Sequence, residues 1–209
     1  MNSSFEIRQV EDFARKNMGK HDGGHDWWHL ERVRNNAFQI MEAEGTGDPQ
    51  IVEIASLLHD IGDSKFRETE ALDTTEILNH FLRGLEVDRR IIEEVIFINR
   101  NLSFSKGKRP GNVSSEFMIV QDADRLDAIG AIGIARAFNY GGFRNNPIFD
   151  PTGSGHSTIG HFYDKLLKLK DLMNTEAGRK LAEERHRFLD LFLRQFYHEW
   201  EFGNRSEGQ

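Results

Sequence analysis

Cysteine is missing from all 209 residues. Its absence removes disulfides, thiolate zinc sites and cysteine nucleophiles together. Positive charge is in deficit: 27 Lys and Arg face 34 Asp and Glu, for a net charge of −7. A general nucleic-acid binder wants a basic surface, so no stable nucleic-acid partner is expected. A local cationic pocket for a phosphate ester stays compatible with that balance. Long apolar runs are missing too. None approaches the roughly 18 residues of a membrane span, and MNSSFEIRQVEDF at the start has no apolar signal core. The expectation is a cytoplasmic protein without a membrane partner. Strand-like alternation is also missing, as are internal repeats and any linker rich enough to divide the chain.

What is present is helical spacing of apolar residues almost everywhere. The spacing predicts helices over roughly 4–17, 27–44, 49–61, 70–83, 89–99, 115–138, 158–173 and 175–200. Asp48-Pro49 and Asp88 read as starts, and Gly45 and Gly84 as stops. Gly62 is expected to end or loosen the third helix. The stretches 101–112 and 139–157 read as loops, the first of them basic through Lys106, Lys108 and Arg109. The fold class is all-α, and the expectation is one domain over residues 1–209.

Nine His are more than chance suggests, and their placement matters. The third helix carries LLHDIGD, residues 57–63, with one imidazole and two carboxylates and no Lys or Arg before Lys65. Burying an unpaired charge costs several kcal/mol, roughly, so something must compensate. One compensation is a metal cation. Another is bland: His59 as a hydrogen-bonded core residue and Asp60 as a buried cap. Two further clusters lie elsewhere. GGHDWWHLERV opens an amphipathic helix at His29, and VQDADRLDAIGAIG sets Asp122, Asp124 and Asp127 in an apolar helix rich in small residues. Acidic groups on separate apolar helices call for one shared counter-charge.

HDWWH also has the spacing of the zinc-peptidase HExxH helix, with Asp in place of Glu. That motif needs both His on one face of a formed helix. Gly23-Gly24 just before it suggests a helix only beginning.

Taken together, the clusters resemble the HD superfamily of metal-dependent phosphohydrolases. GHDWWHLERV, HDIGDSKF, DADRLDAIGAIGIARAF and the C-terminal STIGHFYDKLLKLKDLMNTEAGRKLAEERHRFLDLFLRQF extend the resemblance to compact bacterial HD hydrolases, over nearly the whole chain. The resemblance implies an HD-domain helical bundle with additional C-terminal helices. It implies metal ligation by His29, the pair His59-Asp60, and Asp124. Two-metal members add His ligands between the His-Asp pair and the last Asp, where this chain has only His80. One strongly bound divalent ion is therefore expected.

Two imidazoles and two carboxylates suit Mn²⁺, Fe²⁺, Co²⁺, Ni²⁺ or Zn²⁺, with Mg²⁺ admissible when substrate adds oxygen ligands. Asp63 stands at the offset of a catalytic carboxylate in several HD enzymes and is assigned as general acid/base. Lys65, Arg125, His161 and Lys165 are candidate substrate contacts, although each also reads as an ordinary surface charge. Asp127 could bond a sugar hydroxyl or support a ligand. Arg32 is read as the partner of a ligand carboxylate, and Trp27 and Trp28 as core or as stacking surfaces for a base. The expected reaction is hydrolysis of a small phosphorylated metabolite, a nucleotide first of all. Release of pyrophosphate from a nucleoside triphosphate comes first, a phosphomonoesterase second. A metal- or nucleotide-binding regulatory module with little turnover is the alternative from another class. A metal oxygenase would need two irons and more His. The sequence leaves the oligomeric state open.

Overall fold

The computed structural model describes residues 3–18, 26–61, 73–102, 111–153 and 157–201. Among them are nine α-helices and no strand. The chain forms two compact units, Met1–Asp124 and Arg125–Gln209. No linker marks that boundary, because it falls inside a helix. No described helix is long and apolar enough to cross a membrane.

The first unit holds α1 (Ser3–Asn17), α2 (Trp27–Glu44), α3 (Pro49–Leu58), α4 (Thr74–Gly84), α5 (Arg89–Asn101) and most of α6 (Ser115–Asp127). Local chemistry sets most starts. The carboxylates of Asp26, Asp48, Asp73 and Asp88 each accept a backbone N–H from the first turn that follows. Proline at the first position of α3 forfeits no hydrogen bond there. Gly45 stops α2 in the left-handed region at φ 65°, where its N–H reaches the Met41 carbonyl. Ser114 Oγ accepts the N–H of Phe117 and opens α6.

The core follows from the apolar stripes. Leu30, Val33, Ala37 and Ile40 of α2 are fully buried, as are Ile54, Leu57 and Leu58 of α3 within a percent. α3 packs against α2 and α5. It is apolar nearly all round, as a central helix should be. Arg34 of α2 gathers three carboxylates: Glu11 and Glu31 at 2.7 Å and Glu53 at 3.5 Å. Desolvation alone would lower its pKa, yet its hydrogen bond to Glu11 and the charge of Glu31 raise it overall.

The second unit holds α7 (Gly130–Phe143), α8 (Thr158–Asp164), a 3-10 helix (Leu166–Leu172) and α9 (Glu176–Glu201). α9 packs on α7 and on the 3-10 helix. The half-buried Phe138 and Phe192 meet the buried Phe162 there.

Three sequence expectations need correction. The helix expected over 115–138 is two helices. Ile129 is extended, and Gly130 has φ 74°, so the chain turns between α6 and α7. The closing segment 158–173 is likewise α-helix and then 3-10 helix, broken at Lys165. The third change bears on function: α3 stops at Leu58, short of Gly62. His59 to Ile61 form a turn, closed by the Ile61 N–H on the Leu58 carbonyl at 3.1 Å.

Candidate metal centre

His29 is the third residue of α2. Its backbone N–H donates to Asp26 Oδ1 at 2.9 Å, so the cap that starts the helix also fixes the backbone of this His. α2 begins at Trp27, and Asp26 is spent as its cap. His25 lies outside the described residues and before this helix. Of HDWWH, the described helix carries only Trp27, Trp28 and His29, whereas the zinc-peptidase motif needs both His on one helix.

His59 sits at the end of α3. Its Nδ1 is 2.9 Å from the Ser56 carbonyl. A carbonyl can only accept, so Nδ1 carries a proton, and in the neutral ring the Nε2 lone pair faces the cluster. That is the tautomer a metal-ligating imidazole needs. Asp60 follows in the turn, and Asp124 comes from the penultimate turn of α6.

These side chains converge within the first unit. Nε2 of His29 and Nε2 of His59 lie 3.3 Å apart. Asp60 reaches both rings with different oxygens, Oδ2 to His29 at 3.3 Å and Oδ1 to His59 at 3.4 Å. Asp124 Oδ1 lies 3.6 Å from His29 Nε2 and 3.8 Å from His59 Nε2. His29, His59 and Asp124 each offer one ligand atom, all within 4.8 Å of one another.

The donor set fits a divalent cation. Ligand atoms about 2.1 Å from one ion lie about 3.0 Å apart at a right angle and about 3.4 Å apart at the tetrahedral angle. The distances here, 3.3–3.8 Å, are those of ligands set slightly wide around one centre. The imidazole side chains are 0% and 1% exposed, while Asp60 is 16% and Asp124 35% exposed. The nitrogen side is sealed and the carboxylate side is open to solvent, which leaves room for water or a substrate oxygen.

Two asparagines missed in the sequence hold this frame. Asn36 of α2 donates from Nδ2 to the Ala123 carbonyl at 3.3 Å, one residue before Asp124. Asn99 of α5 donates to carbonyls at the end of α3. Neither stands in a motif. Each was visible only as a polar residue on an otherwise apolar helical face.

Asp63 and Lys65 lie outside the described residues, as do Lys106, Lys108 and Arg109. Arg32 is half-buried on α2, one turn after His29. Arg125 donates to the Leu172 carbonyl within the second unit. Asp127 is 1% exposed and ion-paired with Arg136 at 2.6 Å. Arg185 donates to the Leu126 carbonyl at 2.5 Å. Burial lowers its pKa, against the opposing charges of Asp127 and Glu184. His161 and Lys165 are exposed at the end of α8. Partial desolvation of the His161 ring, and then the Lys165 charge, pull its pKa below the ordinary value, while Asp164 opposes the shift. Trp27 carries the Arg15 guanidinium 3.7 Å over its ring, and Trp28 is exposed.

The HD domain family model matches residues 27–129, which include all four clustered side chains. YpgQ of Bacillus subtilis is 41% identical over 192 residues, covering 91% of each chain. The chain belongs to the HD superfamily. Solved structures superpose on it closely. One is an HD-superfamily hydrolase from Bacillus thuringiensis, at TM-score 0.78 and 40% identity, over 96% of this chain and all of that one. Another is B. subtilis YpgQ in complex with ADP, at TM-score 0.79 and 37% identity, over 92% of this chain and 97% of YpgQ. In this HD chain His59 and Asp60 lie within the matched residues, in a turn at a helix end.

Proposed function

We propose that this protein is a divalent-metal-dependent phosphohydrolase of nucleotides. The reaction we assign first is cleavage of a nucleoside triphosphate between the α and β phosphorus, giving monophosphate and pyrophosphate. The observation that carries the proposal is the convergence of His29, His59, Asp60 and Asp124, with the His59 lone pair turned inward. A divalent ion in such a set polarises a phosphoryl oxygen and acidifies water. The ADP bound to YpgQ supports a nucleotide as the ligand class.

The remaining roles are assigned from residue chemistry. His29, His59, Asp60 and Asp124 hold the ion, one of Mn²⁺, Fe²⁺, Co²⁺, Ni²⁺ or Zn²⁺, with manganese the first choice. Asp63 moves the proton, taking it from water or giving it to the leaving oxygen. Lys65, Arg125 and Lys165 meet the phosphates as cations. His161 is a further contact for the phosphates. Asp127 bonds the sugar or supports the site through Arg136, and Arg32 orients a ligand carboxylate. The protein works in the cytoplasm, where nucleotides are abundant.

The test is product identity. Protein loaded with Mn²⁺ or Co²⁺ is incubated with the common ribo- and deoxyribonucleoside triphosphates and followed by phosphorus NMR. Pyrophosphate and monophosphate are the expected first products. Orthophosphate with diphosphate would replace the α–β assignment while keeping the phosphohydrolase. No turnover in metal-loaded protein would turn the reading to a nucleotide-binding module.

A further inference from the structure

The end of α3 poses a problem that the metal ligands do not solve. A helix leaves its last carbonyls without partners. Here the carbonyls at the helix end are those of Leu58, which accepts the Ile61 N–H at 3.1 Å, and of His59 and Ile61. The three residues are 0%, 5% and 6% exposed, where water has little access. A buried carbonyl left without a donor is costly, and the backbone would shift to find one. The Asn99 amide supplies it. Its Nδ2 lies 2.8 Å from the Leu58 carbonyl, 3.0 Å from that of His59 and 3.2 Å from that of Ile61. Two amide protons are shared among three acceptors around one turn.

That turn carries two neighbours in sequence whose side chains meet, with Asp60 Oδ1 3.4 Å from His59 Nε2. His59 keeps helical dihedrals, φ −61° and ψ −33°, and its side chain and that of Asp60 project from adjacent backbone positions. Asn99 grips the carbonyls on both sides of Asp60 and holds the turn in this form. α5, which carries it, is anchored by the buried Val95 and Ile98.

We infer that Asn99 is a positioning residue for the metal pair, acting through the three carbonyls that bracket His59 and Asp60. The inference rests on the reading of the cluster as a metal site. Asn99 makes no ligand bond. It sets the backbone from which two ligands project, and so it controls affinity for the ion as a supporting partner does.

The experiment titrates metal-free, full-length protein with Co²⁺. It reads the dissociation constant and the visible ligand-field spectrum, alongside the melting temperature of the metal-free form. Asn99→Ala is expected to weaken Co²⁺ binding by about 10–100-fold, the usual effect of losing a supporting contact, and to alter the spectrum. Asn99→Asp, equal in size but without donors, is expected to lose at least as much. Val95→Ala is the control, a buried apolar truncation on the same helix. It should lower the melting temperature with affinity and spectrum kept. Wild-type affinity and spectrum in Asn99→Ala would overturn the inference alone, as would an equal loss of affinity in Val95→Ala. If Asn99→Ala does not fold, Asn99→Gln displaces the amide by one methylene. It should fold and bind Co²⁺ more weakly, and wild-type affinity there would also overturn the inference. Failure of the wild type to bind Co²⁺ at all would overturn the metal-site reading first, and the inference with it.

Discussion

Nε2 of His29 and Nε2 of His59 face each other at 3.3 Å between two buried rings. His59 holds a proton on Nδ1, toward the Ser56 carbonyl, so in the neutral ring its Nε2 is an acceptor. Two carboxylates approach the same point from α6 and from the turn after α3. A cation satisfies both the facing lone pair and the two acids, and the predictions below draw on that relationship and on the charges around it.

Asp63 is expected to act on protons and not to hold the metal. Asp63→Asn keeps the size of the side chain and removes its charge. It should lower kcat by about 10²–10⁴-fold, with metal stoichiometry unchanged. Near-normal kcat in metal-loaded Asp63→Asn would make the residue structural.

Much of this site was legible because its backbone rules are local. Asp48 and Asp88 stand directly before apolar periodicity, and each is a cap in the structure. Pro49 and Gly45 add punctuation that tertiary packing did not override. Two of the three helix interruptions show why they were not legible. Ala128 and Ile129 continue the small and apolar pattern of their flanks, and only the φ 74° of Gly130 reveals the turn. Leu57, Leu58 and Ile61 likewise suit an unbroken helix. The carbonyls of Leu58, His59 and Ile61 are met by Asn99, which lies 41 residues beyond Leu58, a pairing no local pattern encodes.

The arginine network on α2 yields a pH-dependent prediction. Desolvation raises the Glu53 pKa, and Glu11 and Glu31 add to that against the pull of Arg34. A carboxyl with a raised folded pKa favours the fold while it is protonated. That contribution is complete below the unfolded value of 4.5 and is lost as pH rises through the folded value. Glu53→Gln should therefore melt higher than the wild type at pH 7, with the gap closing toward pH 4. Thermal scans across that window check it. A lower melting temperature at pH 7 would mean that the Arg34 contact dominates.

Asp127 and Arg136 form an enclosed pair, with side chains 1% and 17% exposed. Removing one partner strands a buried charge, which typically costs about 3–5 kcal/mol. Arg136→Ala should lose roughly the lower end of that range in urea unfolding, because Arg185 still offsets part of the Asp127 charge. Arg89→Ala, which breaks the exposed pair with Glu93, should leave unfolding unchanged. Equal effects in the two variants would contradict the buried role of Asp127.

The central claim is that one divalent ion is held jointly by residues from α2, the end of α3 and α6. The most direct measurement is calorimetric titration of metal-free protein with Mn²⁺, with the metal content of the washed samples assayed in parallel. The wild type should take up one tightly bound equivalent. His29→Ala, His59→Ala, Asp60→Ala and Asp124→Ala should each lose it, while His25→Ala keeps it. Tight binding retained by His59→Ala and lost in His25→Ala would contradict the account and put the ion on the HDWWH segment instead.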